Sequence, residues 1–140
     1  MAHILLVDDE PEVLNALTRI LRKQYQITTA NSASEALSIL NEHSIDLIIS
    51  DIRMPIIDGI ELLTQIRDRY PNMGRVLLSG YADMEQCQRA INDDVAKIIL
   101  AKPWDNFELK NIVALLIEFN QLRAENEILS QQLTHLGASV

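Results

Sequence analysis

Four short apolar runs punctuate the chain: Ile4 to Val7, Leu47 to Ile49, Val76 to Leu78 and Ile98 to Ala101. Each is too short for a helix and rich in Ile, Val or Leu, as expected of strands buried on both faces of a parallel sheet. A more polar, alternating segment, YQITTA from Tyr25 to Ala30, suits an edge strand. Helical stripes lie between the runs. Val13, Leu14, Leu17, Ile20 and Leu21 form the first; Ala36, Leu37 and Leu40 the second; Ile60, Leu63, Ile66 and Tyr70 the third; Met84, Cys87 and Ile91 a thinner fourth. DNFE, Asp105 to Glu108, is an N-terminal capping pattern for a fifth. Strands alternating with helices predict an α/β doubly wound sheet, because parallel strands need crossovers and helices cover both faces.

From Ile112 a second pattern takes over. Ile112, Leu115, Phe119, Leu122, Asn126, Leu129, Leu133 and Leu136 alternate spacings of three and four. That is an a/d heptad sustained for about three and a half repeats. Its first half doubles as a candidate inner face of the fifth helix. Beyond about Asn120 the helix outruns the sheet, and its leucines need another partner. The expectation is a domain over 1–117, a coiled-coil extension of the fifth helix over 118–136 and a tail over 137–140. Asn126 falls at an a position, where a buried amide pairs with its copy, so the coil is expected to be a parallel homodimer. Glu118 at g then faces Arg123 at e of the partner chain, and Gly137 ends the helix.

Composition narrows the class. The chain has 140 residues, 48% of them apolar, enough for one substantial core. Its 12 basic and 20 acidic residues give a net charge of −8, a poor match for nucleic acid or an anionic membrane surface. The single Cys87 excludes an intrachain disulfide and suits a reducing compartment. No apolar run approaches the roughly 20 residues of a membrane span. A soluble cytoplasmic protein with no direct nucleic-acid or membrane binding is expected. His3, His43 and His135 make no metal-ligand spacing.

In a doubly wound sheet, ligands bind in the crevice outside the carboxyl ends of the strands. The residues at those ends are unusual. The first strand delivers Asp8 and Asp9, the third Asp51, the fourth Ser79 and the fifth Lys102 before Pro103. Adjacent carboxylates at the end of a buried strand repel and resist desolvation. A hard divalent cation would relieve that repulsion, and magnesium favours a few carboxylates with a position left for a phosphate oxygen. Lys102 and Ser79 would hold the remaining oxygens. Such a site suits phosphoryl transfer by positioning and charge neutralisation.

From about His3 to about Leu116 the chain resembles the receiver domain of two-component response regulators. The resemblance is carried by the acidic pair Asp8-Asp9, by Asp51-Ile-Arg-Met-Pro with Asp58-Gly59 following, by Ser79 after the fourth strand and by Lys102-Pro103 after the fifth. It implies a flavodoxin-like five-stranded sheet of order 2-1-3-4-5. It also implies that Asp51 accepts a phosphoryl group from a sensor histidine kinase or phosphotransfer protein, with no substrate turnover beyond self-phosphorylation and self-dephosphorylation. Asp9 would be a direct magnesium ligand, Asp8 would act through water, and the Arg53 backbone carbonyl would join Asp51 in the set. Lys102 would pair with the phosphoryl group, and the Lys102-Pro103 bond would be cis. The SGYAD and KPWD segments, the second holding the single Trp104, resemble receivers in front of HD-type phosphohydrolases and related signalling outputs. A downstream output domain is expected.

Blander readings stand beside each residue. Asp9 is a candidate cap of the first helix, Ser79-Gly80 an ordinary turn, Lys102-Pro103 a strand exit and Cys87 a packing residue. One position departs from the family pattern: Ile99 stands three residues before Lys102, where receivers commonly carry a Tyr or Phe that turns inward as the Ser or Thr hydroxyl moves to the phosphate. Tyr81 is an alternative aromatic that would gate water or kinase access, or else an exposed loop residue. Ile99 is the support for a second class of reading, a pseudo-receiver or dimerisation scaffold with switching lost. A third, an Asp-nucleophile hydrolase, is disfavoured because Asp51-Ile-Arg lacks the second acidic residue found two positions on in haloacid dehalogenase-like phosphatases.

Overall fold

The computed structural model describes residues 1–135. Its strands are β1 (His3–Val7), β2 (Gln26–Ala30), β3 (Leu47–Asp51), β4 (Gly74–Ser79) and β5 (Ile98–Ala101). All pair in parallel, in the order β2-β1-β3-β4-β5. The helices are α1 (Pro11–Leu21), α2 (Ala33–Glu42), α3 (Gly59–Arg69), α4 (Met84–Asn92) and α5 (Asn106–His135), with a short 3-10 turn, Tyr81–Asp83, ahead of α4. This is the flavodoxin-like doubly wound arrangement. Every residue of β1, β3 and β4 is buried, as their unbroken apolar runs require, whereas the edge strands β2 and β5 are partly open.

Alternate residues of each strand feed two cores. Leu5, Val7, Ile48 and Leu77 meet Leu40 of α2, Leu62, Leu63 and Ile66 of α3, and Cys87 and Ala90 of α4. Ile4, Leu6, Leu47, Ile49, Val76 and Leu78 meet Leu14, Leu17 and Leu21 of α1 and Leu109, Val113 and Leu116 of α5. Truncating any one of these leucines would cost about 2–5 kcal/mol.

Three helices begin with the same device. The side chains of Ser32, Asp58 and Asp105 accept from the backbone N–H of Glu35, Glu61 and Glu108, at 3.1, 2.8 and 2.9 Å. Helix α1 differs. Pro11 occupies its first turn, Glu10 is the N-cap without a side-chain bond, and Asp9 stays exposed, so the capping role considered for Asp9 is not taken.

Two helical stripes fall differently from expectation. In α4 only Cys87 and Ala90 reach the core, while Met84 and Ile91 are exposed, because the helix packs through its small residues. In α5 the inner face is Leu109, Val113, Leu116 and Ile117. Ile112 packs partly against the same core, but Leu115 and Phe119 are exposed, 64% and 49%, so the first half of the heptad meets the inner face only at Ile112. Leu122, Leu129 and Leu133 continue that outer stripe, also exposed; Leu136 and Gly137 lie outside the described residues. The body holds α5 beyond Ile117: Asn120 Nδ2 donates to Asp46 O (3.3 Å) and Arg123 to Asn72 Oδ1 (3.2 Å).

One buried cation was not legible in the sequence. Arg75 in β4 is 1% exposed, and its guanidinium donates to the carbonyls of Val95, Met73, Pro71 and Asp94 at 2.9, 3.1, 3.3 and 3.0 Å. It ties the loop before β4 to the loop before β5 at the edge opposite the carboxyl ends. Among the described residues, no buried side-chain nitrogen or oxygen lacks a partner. No helix among them is long and apolar enough to cross a membrane.

Candidate functional site

The acidic residues meet at the carboxyl edge of the sheet. Asp8 follows β1 with no exposure. Its N–H donates to Ala30 O (3.2 Å) and its Oδ1 accepts from the Glu10 N–H (2.8 Å). Its Oδ2 lies 3.0 Å from Lys102 Nζ, and the same nitrogen lies 3.1 Å from Oδ1 of Asp51 at the end of β3. Lys102 follows β5, two strands away from β3, so it reaches across the end of β4 to bridge the two carboxylates. The Lys102 N–H donates to Ser79 O (2.8 Å), and the Lys102-Pro103 peptide bond is cis.

Electrostatics follow from this packing. Burial raises the pKa of Asp51 and the charge of Asp8 adds to it, while Lys102 opposes both. For Lys102 burial disfavours the charge, but the hydrogen bonds and charges of Asp8 and Asp51 outweigh it and the pKa is raised. The crevice thus holds two buried carboxylates around one ammonium. Ligand oxygens of Asp8, Asp9 and Glu10 lie within 4.8 Å of one another, with Asp9 and Glu10 exposed at the rim. A donor set of carboxylate oxygens, without thiol or imidazole, fits a hard divalent cation of the magnesium type.

The Asp58-Gly59 pair has a structural reason. Asp58 caps α3, and a Cβ on Gly59 would stand 2.0 Å from the carbonyl oxygen of Asp51. Only glycine lets α3 start against the backbone of β3. In the intervening loop, Ile56 is fully exposed at φ 72°, an uncommon conformation for a β-branched residue.

Ser79 ends β4, buried beside the crevice. Its hydroxyl donates to Gly80 O (2.9 Å) and accepts from the Cys87 thiol (3.1 Å). The Arg53 side chain points to solvent, and its Nε donates to Oδ1 of the buried Asp83 (2.8 Å), joining the loop after β3 to the turn after β4. Tyr81 opens that turn; its side chain lies outside the described residues.

The model of the response regulator receiver domain matches residues 4–114. The chain belongs to this family. Receivers are signalling phosphoacceptors. The chain is 33% identical over 132 residues to the hydrogenase transcriptional regulatory protein HoxA of Cupriavidus necator, covering 94% of this chain but only 27% of that protein. Among solved structures it resembles the signal receiver domain of an HD domain-containing protein from Pseudomonas fluorescens (TM-score 0.84, 34% identity, 89% of this chain and 92% of the other). It also resembles a structure described as adenylate cyclase from Rhodopirellula baltica (TM-score 0.88, 31% identity, 92% and 96%).

The strand-end residues stand together, and Ile99 is half-buried on β5 and packs towards the α2, α3 and α4 side. Trp104 packs partly against the α1 and α5 core, with Nε1 donating to Asn106 Oδ1 (3.2 Å), a local role at the start of α5. Sequence reading missed the Cys87–Ser79 and Arg53–Asp83 contacts and the third carboxylate of the acidic cluster, Glu10. Neither contact has a sequence signal, because each joins side chains from different elements of the fold.

Proposed function

We propose that Asp51 accepts a phosphoryl group from the phosphohistidine of a sensor histidine kinase or phosphotransfer protein, in a magnesium-dependent reaction in the cytoplasm. The observation that supports this most is Lys102 Nζ at 3.0 and 3.1 Å from the carboxylates of Asp8 and Asp51, at the sheet's ligand-binding edge. An Asp51 carboxylate oxygen attacks phosphorus, forming a P–O bond as the donor's P–N bond breaks. The imidazole leaves with that electron pair and takes a proton from solvent. Lys102 stays protonated and binds a phosphoryl oxygen, and the Ser79 hydroxyl exchanges Gly80 O for another. Asp8, Asp9, Asp51 and the Arg53 carbonyl would hold magnesium, which neutralises phosphoryl oxygen charge when bound. Attack by water on phosphorus later breaks the acyl P–O bond, releasing inorganic phosphate and restoring the Asp51 carboxylate.

The signal leaves, in this reading, through α5. Leu115, Phe119, Leu122, Asn126, Leu129 and Leu133 present an outer stripe that the body does not cover, and a second copy placed in parallel would cover it, with Asn126 paired to its counterpart. Arg123 is already bonded to Asn72 and lies 5.7 Å from the Phe119 ring centroid, so the Glu118–Arg123 pair adds little and the orientation rests on Asn126. An output domain beyond the receiver fits relatives much longer than this chain. Ile99 favours the second reading, a scaffold without switching.

Incubation with magnesium and acetyl phosphate, read by intact mass, separates them. Wild type should gain one hydroxylamine-labile phosphoryl group and Asp51→Asn none; a wild type that gains nothing supports the scaffold.

A further inference from the structure

Ser79 is held on two sides. Its hydroxyl has one proton, which goes to Gly80 O at 2.9 Å, and it accepts the Cys87 thiol at 3.1 Å. Ser79 therefore cannot donate to a phosphoryl oxygen on Asp51 while keeping its present bond. If the hydroxyl turns into the crevice, the thiol loses its acceptor. Cys87 is also one of only two buried residues of α4, the other being Ala90. A groove of about 700 Å³ lies beside this contact, lined by Ser79, Met84, Cys87, Ile91, Ile99 and Lys102 among others. Ile99, half-buried on β5, lines the same groove.

We propose that Cys87 is a positioning residue: its thiol holds the Ser79 hydroxyl away from the crevice in the resting chain, and release of that hydrogen bond on phosphorylation loosens α4 along the groove. The proposal rests on the phosphoacceptor reading of Asp51. It assigns the coupling that an aromatic ring cannot supply here to a contact between the end of β4 and the core face of α4. The groove gives the freed thiol and the exposed Met84 and Ile91 room to rearrange.

Cys87 is the only cysteine, so the rate of its reaction with a chromogenic pyridyl disulfide reads one site. The full chain is labelled with and without magnesium and acetyl phosphate, phosphorylation being followed by intact mass. Phosphorylated wild type should react severalfold faster than unphosphorylated wild type, and Asp51→Asn should show no donor-dependent change. Ser79→Ala should react fast without any donor, and Ser79→Thr, which keeps the hydroxyl, should restore the slow rate at a similar urea midpoint. In Cys87→Val, amide exchange of α4 should no longer respond although Asp51 still gains the group. An unchanged or slower rate in chains whose mass shows the phosphoryl group overturns the latch, as does a wild-type α4 response in Cys87→Val. So does a wild-type rate in Ser79→Ala, which needs no phosphorylation. A missing mass increment strikes the phosphoacceptor reading instead and leaves the Ser79→Ala comparison to decide the latch.

Discussion

Asp51 carries an electrostatic cost that the fold accepts for its position. Its pKa is raised chiefly by burial, then by Asp8, against the pull of Lys102. A carboxyl raised in the folded state loses stability as pH climbs through its unfolded pKa, and the loss is complete above the folded pKa. Below both values the folded and unfolded chains hold it protonated and nothing is lost. Metal-free Asp51→Asn should therefore melt above wild type at about pH 7, with the gap closing as pH falls through the carboxylate range near about 4. Thermal melts across that range check it; a gap that does not depend on pH contradicts it. Gly59→Ala tests the neighbouring backbone. A Cβ 2.0 Å from Asp51 O forces β3 and α3 apart, so the loss should reach or exceed the top of the usual overpacking range of about 1–3 kcal/mol, read as a lowered urea midpoint. At this scale the sequence was legible where one residue answers to one strand end, as Asp8, Asp51, Ser79 and Lys102 do. It was silent where two side chains meet from separate loops, as Arg53 and Asp83 do.

Helix α5 shows why an element can be foreseen while its faces are not. Its sequence carries two apolar stripes offset around the helix, one through Leu109, Val113 and Leu116 and one through Leu115, Phe119 and Leu122. A heptad pattern finds the second readily, but which stripe meets the sheet depends on how the chain leaves β5. The same holds for α4, where Met84 and Ile91 read as core and lie outside it, because Cys87 and Ala90 allow close packing with little side-chain volume. The 30 residues of α5 span about 45 Å, and its body contacts extend to Arg123. Sedimentation equilibrium should show a dimer for the full chain and a monomer after truncation beyond Ala124, which leaves the Asn120 and Arg123 bonds intact. Asn126→Val should raise the coil's melting point and loosen its stoichiometry. A full chain that stays monomeric at high micromolar concentration contradicts the parallel coil.

Across the whole molecule, the parallel sheet turns distant sequence positions into one site. Asp8 and Lys102 are 94 residues apart in the chain and 3.0 Å apart in space, because β1, β3, β4 and β5 end on the same edge. That convergence was legible from the alternation of parallel strands with helices and from the residues at the strand ends. Magnesium binding the folded site and not the unfolded chain should stabilise the protein, by about 2.7 kcal/mol at a hundredfold excess over its Kd, and less in Asp9→Asn. Thermal melts titrated with magnesium read this; curves that coincide with and without the ion argue against the metal set. The central claim is that Asp51 is the acceptor. Its most direct test is to phosphorylate the full chain with magnesium and acetyl phosphate, trap the acyl phosphate by borohydride reduction and map the product by peptide mass spectrometry. The account predicts homoserine at position 51 and at no other aspartate; reduction at a different aspartate, or none in a chain shown to carry the phosphoryl group, contradicts it.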